Sequence, residues 1–325
     1  MLDVSKLATL REVIARGSFS AAAHALALTQ PAVSRQVSLL ERQAGTQLVR
    51  RTQQGVLPTE AGRLLVAHAD AILGRLALAE AEVADLAGLR RGRLRLGSFF
   101  TALVYLSSEL AALLEARHPE LFAAQPDVIE DALVDRAAAL RGLRAGELDL
   151  AIVFEHAFEP PAPPAPDDVE VVALFDDPPR ALLPAGHRLA RAAEVRPDDL
   201  GGDTWIRAHR GSAARLVDHV LGRAGMKPPL LHAGHGDEPV EAQAFVAAGR
   251  GVTVAHALNV LIAPDRVVAV ALAGGAPVRR VQAAIMREQR APLARAALDA
   301  LVEIGRRRAA PEPSPDPAQA GTSPS

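Results

Sequence analysis

The chain contains 325 residues, which is long enough for two or three domains that each bury a core of their own. Aromatic residues make up only 3% of it, and this scarcity argues against a single-strand nucleic-acid binder that stacks bases on rings. Cysteine is absent, which excludes a disulfide framework and a thiolate metal site.

The distribution of charged and apolar residues gives two further expectations. Residues 1–63 hold eight Lys or Arg against four Asp or Glu, although the whole chain has a net charge of −2. A basic start on an acidic remainder is a weak indication of a polyanionic partner. The first twenty residues lack the apolar core of a signal peptide, and no apolar run approaches the roughly 18 residues of a membrane span. We therefore expect a cytoplasmic protein without a membrane partner.

The first part of the chain predicts short helices separated by tight turns. Leu7, Leu10 and Ile14 recur at helical spacing, and Gly17 ends that helix. Ser18 is a candidate N-cap for a second helix, which reads FSAAAHALAL. Three residues then turn the chain into a third helix, and this spacing is that of a helix-turn-helix motif.

The third helix, within ALTQPAVSRQVSLLE, has two different faces. Its apolar side is formed at helical spacing by Val33, Val37, Leu40 and Ala44. Its opposite side carries small, polar and basic residues, namely Pro31, Ser34, Arg35, Ser38 and Arg42. Short side chains would let the helix backbone approach base edges in the major groove of DNA, and a solvated surface face is the alternative.

A small hairpin and a long helix are predicted next. Gln54-Gly55 lies between short runs and favours a wing with Arg50 and Arg51 at its base. Thr59 caps a helix that extends to about Leu89. Its apolar residues follow a heptad pattern, namely Leu65, Ala69, Ile72, Leu76, Ala79, Val83 and Leu86. The pattern favours pairing with a second helix over packing on the helix's own domain.

From Arg91 onward, strands alternate with helices, which predicts an open parallel sheet with ligands at the carboxyl ends of its strands. The proline-rich stretch 159–168 is interpreted as a connection between two subdomains, and Val267–Leu272 as a return strand. In GSFFTA, Ser98 and Thr101 with nearby backbone N–H groups form a candidate anion site, or they are ordinary helix caps.

Signals of enzyme chemistry are weak. HRGSAAR has no surrounding nucleophile elbow, and AGRGV is not a phosphate-binding loop. His232 and His235 have a spacing that sometimes serves metals, but a surface loop is the favoured interpretation. We expect neither an enzyme nor a metal or cofactor site.

Four segments resemble the LysR-type transcriptional regulators. SFSAAAHALALTQPAVSRQVSLLERQAGTQLVRRT resembles the DNA-binding signature of the family, and LPTEAG resembles the start of its linker helix. RAGELDLAIV (144–153) and VAAGRGVTVAH (246–256) resemble parts of its effector domain. The resemblance covers nearly the whole chain.

The resemblance implies an α+α/β architecture. It consists of an N-terminal winged helix-turn-helix, a long linker helix, and a C-terminal two-subdomain α/β effector-binding domain of the periplasmic-binding-protein type. The expected boundaries are 1–58 for the winged helix-turn-helix DNA-binding domain (the reader), 59–90 for the linker and dimerisation helix, 91–308 for the effector domain, and 309–325 for a disordered tail. Within the effector domain, the first half would span 91–160 plus 268–308, and the second half 161–267.

The resemblance also implies two sets of site residues. The expected DNA-binding residues are Thr29, Gln30, Pro31, Ser34, Arg35, Ser38, Arg50 and Arg51. The expected effector-binding residues are Ser98, Phe99, Thr101, Phe154, Arg207 and Ser212. Gln30, Pro31 and Ser34 would lie nearest the bases.

The function that the resemblance implies is gene control through a double-stranded DNA operator and a small-molecule effector. The protein would act as a dimer or a dimer of dimers, with RNA polymerase as a candidate further partner. The alternative is a cytoplasmic small-molecule-binding module of the solute-receptor type without a transcriptional role.

Overall fold

The computed structural model describes residues 2–52, 55–86, 93–233, 239–260, 262, 265–274 and 277–309. Residue Gln54 of the predicted hairpin turn, His235 of the possible metal pair and residues 310–325 of the predicted tail lie outside this description. None of the described helices is long and apolar enough to cross a membrane.

Three short helices build the N-terminal domain: α1 (Val4–Arg16), α2 (Phe19–Ala25) and α3 (Gln30–Ala44). Ser18 and Thr29 cap α2 and α3, since their side chains accept the N–H groups of Ala21 and Ala32. Gly17 and Gly45 follow α1 and α3 in the left-handed conformation that favours glycine. The apolar side predicted for α3 is buried at Val33, Val37 and Leu40.

The predicted wing is an antiparallel hairpin of β1 (Val49–Thr52) and β2 (Gly55–Pro58). The Glu41 carboxylate near the end of α3 accepts the backbone N–H groups of Leu48 and Val49, at 2.9 and 3.2 Å. The Val56 N–H donates to the Gly17 carbonyl at 2.8 Å. These bonds fix the hairpin to both ends of the helix-turn-helix.

The long helix α4 spans Glu60–Leu86, and Thr59 caps it by accepting the N–H of Gly62 at 3.0 Å. The apolar residues of the predicted heptad pattern, here called the heptad seam, are buried near the start of α4 and exposed farther along it. Ala69 is fully buried in the N-terminal core, whereas Ile72, Leu76 and Val83 are 44%, 45% and 65% exposed. The Leu86 side chain lies outside the described part of the chain.

A close backbone contact at Gly74 joins α4 to the C-terminal domain. A Cβ added at Gly74 would lie 1.6 Å from the Arg144 carbonyl oxygen. The absence of a side chain therefore lets the two backbones touch.

The first half of the C-terminal domain is a five-stranded mixed sheet. Its strands are β3 (Leu94–Ser98), β4 (Ile129–Leu133), β5 (Leu150–His156), β6 (Val169–Asp177) and β13 (Arg279–Met286), in the order β4-β3-β5-β13-β6. Strand β3 is parallel to β4 and β5, whereas β13 is antiparallel to β5 and β6. Its helical segments are α5 (Phe100–Ala102), a π-helical turn (Leu103–Ser107), α6 (Ser108–Arg117), α7 (Pro119–Ala124), α8 (Arg136–Arg144) and α11 (Pro292–Ala309).

The second half contains two smaller sheets. Strands β11 (Thr253–His256), β7 (Pro179–Pro184), β12 (Val267–Leu272) and β8 (Glu194–Val195) form one of them in that order, and β9 (Trp205–Ala208) pairs with β10 (Leu230–Ala233) in the other. Its helices are α9 (Gly211–Arg223), α10 (Pro239–Ala247) and two 3₁₀ turns, Pro197–Leu200 and Ala257–Asn259. Trp205 and Leu216 are buried in its core.

The expected boundaries between the halves are wrong. Strand β6 belongs to the first half, because it pairs with β13 along its length. Strand β12 belongs to the second half, because it lies between β7 and β8. The proline-rich stretch 159–168 therefore connects two strands of one sheet, and the chain crosses between the halves after Asp177 and again before Arg279.

We expect Gly62→Ala to lower the stability of the N-terminal domain by about 2 kcal/mol, the usual cost of overpacking. A Cβ at this position would lie 1.9 Å from the Leu48 carbonyl oxygen, where α4 meets the wing. Urea unfolding followed by circular dichroism measures the change. Gly222→Ala in α9 is the matched control, since its Cβ would meet nothing within 4 Å and alanine favours helix. Equal midpoints for the two variants would contradict the close contact.

Candidate DNA-binding face and candidate effector cleft

The eight expected DNA-binding residues lie together around the start of α3 and on β1. Thr29, Gln30, Pro31, Arg35, Ser38, Arg50 and Arg51 are exposed, and Ser34 is half-buried. No arginine of this group forms an ion pair with another described residue, so their charges face solvent rather than an acid of the same chain. The face can therefore meet an anionic polymer without first breaking internal ion pairs.

Arg51 connects the wing to α3. Its guanidinium donates to the Ser34 Oγ at 3.3 Å and lies 4.7 Å above the centre of the Phe19 ring. These contacts reduce the conformational freedom that Arg51 would lose on binding. Phe19 and Glu41 are not among the residues expected from the sequence, but both support this face from behind. Phe19 contacts Arg51, and Glu41 holds the start of the wing.

The candidate effector cleft lies between the two halves and encloses about 620 Å³. Four of the six expected residues line it: Phe99, Thr101, Phe154 and Ser212. A smaller inner cavity of about 30 Å³ adjoins the cleft, since the two share His156, Ser212, Asn259 and Arg279 as lining residues.

Two expected effector residues are not lining residues of the cleft. Ser98 is fully buried, and its hydroxyl contacts the neighbouring Phe99 carbonyl at 3.4 Å. Arg207 is held by Asp218 of α9 through two hydrogen bonds of 2.7 and 2.6 Å. Pairing with Asp218 raises the pKa of Arg207, and Arg207 lowers that of Asp218. The structure therefore does not support direct contact of either residue with a ligand in this arrangement.

A buried polar network lies where the chain crosses between the halves. Arg279, 4% exposed, donates to the Asp177 carboxylate at 2.6 and 3.1 Å and to the Asn259 Oδ1 at 2.9 Å. The Thr101 hydroxyl contacts the same Asn259 oxygen at 2.8 Å. The Arg279 guanidinium also lies 4.9 Å from the ring centre of Phe99. Thr101 thus has a structural partner in the second half.

Two histidines face each other beside this network. The ring centres of His156 and His256 are 5.0 Å apart, and the side chains are 7% and 2% exposed. Burial lowers the pKa of His156 to about 4, an effect that Arg279 and Arg215 reinforce and Glu159 opposes. Burial and then Arg279 lower the pKa of His256 well below its ordinary value. Both rings are therefore neutral at pH 7.

His156, Asn259 and Arg279 line the site but are not among the residues expected from the sequence. The sequence contains a pattern that could have identified them, because each of these polar residues lies at the end or the start of an otherwise apolar strand or turn. Among the described residues, no group of three or more His, Cys, Asp or Glu side chains could hold a metal ion.

We expect the folded state to lose stability as pH falls from 7.5 to 5, because His156 binds a proton in the unfolded chain near pH 6.5 but in the folded chain only near pH 4. Because the pKa of His156 is lower in the folded chain than in the unfolded chain, the free energy of unfolding is highest above pH 6.5 and decreases as pH falls from 6.5 toward 4. The His156 contribution to this loss is about 2 kcal/mol by pH 5. Urea titrations at both pH values, with His156→Phe beside the unsubstituted protein, measure it. An equal pH dependence in the two proteins would refute the assignment.

Comparison with known proteins assigns both parts of the chain. The family described as bacterial regulatory helix-turn-helix protein, lysR family, matches residues 4–63, and the LysR substrate binding domain matches residues 87–306. The HTH-type transcriptional regulator CbbR of Sinorhizobium medicae is 31% identical over 215 residues. That alignment covers 66% of this chain and 64% of CbbR, somewhat less than two thirds of the relative's length.

Solved structures share the fold over nearly the whole chain. Full-length OxyR C199D from Pseudomonas aeruginosa has a TM-score of 0.63 at 24% identity, covering 94% of this chain and 95% of its own. Full-length CbnR complexed with its target DNA has a TM-score of 0.56 at 20% identity, covering 95% and 100%. These likenesses confirm the predicted architecture of a winged helix-turn-helix followed by a two-part α/β domain. The chain belongs to the LysR family of bacterial helix-turn-helix regulators.

Proposed function

We propose that the protein is a sequence-specific DNA-binding transcriptional regulator controlled by a small-molecule effector. The observation that carries this proposal is the face of α3, which buries Val33 and Val37 and exposes small, polar and basic side chains beside a basic wing. An exposed helix of this shape fits the major groove, and the wing arginines fit the flanking phosphates. Membership of a regulator family supports the same function.

The proposed role of each DNA-binding residue follows from its position on α3 or on the wing. Gln30, Pro31 and Ser34 stand nearest the bases, and Gln30 has the amide needed to bond adenine at two points. Thr29, Arg35 and Ser38 flank them toward the phosphates. Because Arg51 contacts Ser34, we place its guanidinium on the phosphate next to α3 rather than deep in the minor groove.

The cleft supplies the control step. A ligand that contacts both halves stabilises one of their arrangements, and the difference in its affinity for two arrangements sets how far it shifts the population. Phe99 and Thr101 come from the first half and Ser212 from the second, so one ligand can touch both. We propose that the effector acts in this way on a cytoplasmic protein. RNA polymerase is a candidate further partner.

Dimerisation would use the exposed half of the heptad seam on α4. Ile72, Leu76 and Val83 are apolar and exposed on one helix, and pairing with a second copy would bury them. A dimer also presents two readers to a partly palindromic operator, and a dimer of dimers would extend the contacted DNA.

The test of DNA binding is the salt dependence of Arg51→Ala on a duplex selected from a random pool by the full-length protein. We expect weaker binding and a slope of log K against log salt that is shallower by about one, since one phosphate contact is lost. Arg250→Ala removes an exposed arginine of the second half and is the matched control. An unchanged slope would contradict the proposed phosphate contact of Arg51. Failure of the unsubstituted protein to retain any duplex would favour a solute-receptor module instead.

The dimer is tested by Leu76→Glu in light scattering coupled to gel filtration. We expect self-association to weaken at least about tenfold, because a carboxylate buried without a partner is costly. Ala67→Glu places the same charge on an exposed position of α4 outside the seam and serves as the control. Equal behaviour of the two variants would show that the seam is not an interface.

A further inference from the structure

The inner cavity between the halves is small, and its lining includes His156 and His256, whose buried ring nitrogens include three without a hydrogen-bond partner among the described residues. Its volume of about 30 Å³ suits two water-sized groups, which is enough for a hydroxyl and the atom that carries it. The cavity adjoins the larger cleft, where Phe99, Phe100 and Phe154 form an aromatic wall. A ligand can therefore place an apolar body in the cleft and one polar group in the cavity.

The partner of His256 fixes which of its nitrogens carries the proton. His256 forms a hydrogen bond with the backbone of Pro277. Proline has no N–H, so its carbonyl accepts and the imidazole donates. The Nε2 atom of His256 is buried and has no hydrogen-bond partner among the described residues, so the donor is Nδ1. In the neutral ring, Nε2 is then an acceptor, and a donor group in the cavity would satisfy it.

His156 supplies the complementary function. Both of its ring nitrogens are buried and find no partner in the part of the chain that the structure describes. A neutral imidazole has one donor and one acceptor. The two ring centres are 5.0 Å apart, and both rings line the inner cavity. Two hydrogen bonds of about 2.8 Å that meet at one oxygen can connect nitrogens of rings at this separation. One ligand oxygen can therefore accept from His156 and donate to His256. A hydroxyl is the simplest group that does both.

The charges of the cleft argue against an anionic group. Each lining arginine of the described chain is paired with an acid: Arg136 with Glu155 at 3.0 Å, Arg215 with Glu159 at 2.7 Å, and Arg279 with Asp177 at 2.6 Å. The remaining lining acid, Asp135, caps α8. An anion would thus require a proton on a buried histidine beside Arg279, whereas a hydroxyl requires no new charge.

We propose that the inner cavity binds the hydroxyl group of an uncharged ligand with an apolar or aromatic body, an alcohol or a phenol. The hydroxyl donates to the His256 Nε2 and accepts from His156, and the body lies against Phe99 and Phe154. The inference deepens the proposed effector role of the cleft and rests on it.

The experiment compares three probes of similar shape on the full-length protein at pH 7.5: benzyl alcohol, benzyl methyl ether and benzoate. Dissociation constants come from ligand-observed NMR. We expect benzyl alcohol to bind at least about tenfold more tightly than the ether, which cannot donate, and than benzoate, which carries a charge. Equal or tighter binding of the ether or of benzoate overturns the proposal, and equal weak binding of all three shows a cavity that holds only water.

Variants assign the binding to the two histidines. His256→Phe and His156→Phe keep a ring but remove the hydrogen-bonding nitrogens, and each is expected to abolish the preference for the alcohol over the ether. His219→Phe is the matched control. The His219 ring lies beside Phe158, which in turn lies beside His156, but His219 is not a lining residue of the cleft or the inner cavity. His256→Gln restores an acceptor and should restore part of the preference. A preference that survives His256→Phe overturns the proposal.

A measurement on the unsubstituted protein covers the case in which a variant does not fold. Long-range ¹H–¹⁵N correlation should show His256 neutral with its proton on Nδ1, and benzyl alcohol should shift the Nε2 resonance. A protonated ring, or no shift on saturation, overturns the proposal. None of these readouts uses DNA, so loss of operator control would leave the ligand class standing, and rejection of the alcohol would leave DNA binding standing.

Discussion

The arrangement of the two halves depends on the buried pairing of Arg279 with Asp177. Asp177 is the last residue of β6, after which the chain leaves the first half, and Arg279 is the first residue of β13, on which it returns. The pair therefore joins the two crossings directly, at 2.6 Å and almost without exposure to solvent. Removing one partner of such a pair leaves a buried charge uncompensated, which costs about 3–5 kcal/mol. Asn259 extends the junction into the second half.

The same junction shapes the chemistry of the cleft. The positive charge of Arg279 lies beside both histidines and is one reason why their pKa values are low. Since Asp177 already compensates that charge, the guanidinium orients neighbouring groups rather than attracting anions. In the proposed ligand site, Arg279 thus contributes both to the stability of the fold and to the selectivity for ligands. A protein with an unpaired arginine at this position would favour a different class of ligand.

Local features of the fold could be predicted from the sequence, and long-range pairings could not. The caps Ser18 and Thr29, the glycine after α3 and the buried valines of α3 follow from neighbours within a few residues. The partner of β6 is β13, about a hundred residues away, and no local pattern distinguishes that pairing from the expected one. Arg207 was misplaced for a similar reason, since Asp218 reaches it only because α9 packs beside β9. The histidine pair was missed because His156 and His256 come from different halves.

The backbone contact at Gly74 can transmit a displacement of the C-terminal domain to α4. No side chain separates α4 from the C-terminal end of α8 there, so no rotamer change can absorb a small displacement of one backbone against the other. From Gly74 to the start of α4 is about 14 residues, or roughly 20 Å of stiff helix. A tilt of the first half by about five degrees would swing the far end of this lever by roughly 2 Å. Such a step is comparable to the reach of a hydrogen bond. In the proposed regulator, a slight tilt of the first half would therefore be enough to move the N-terminal domain into or out of register with a DNA groove.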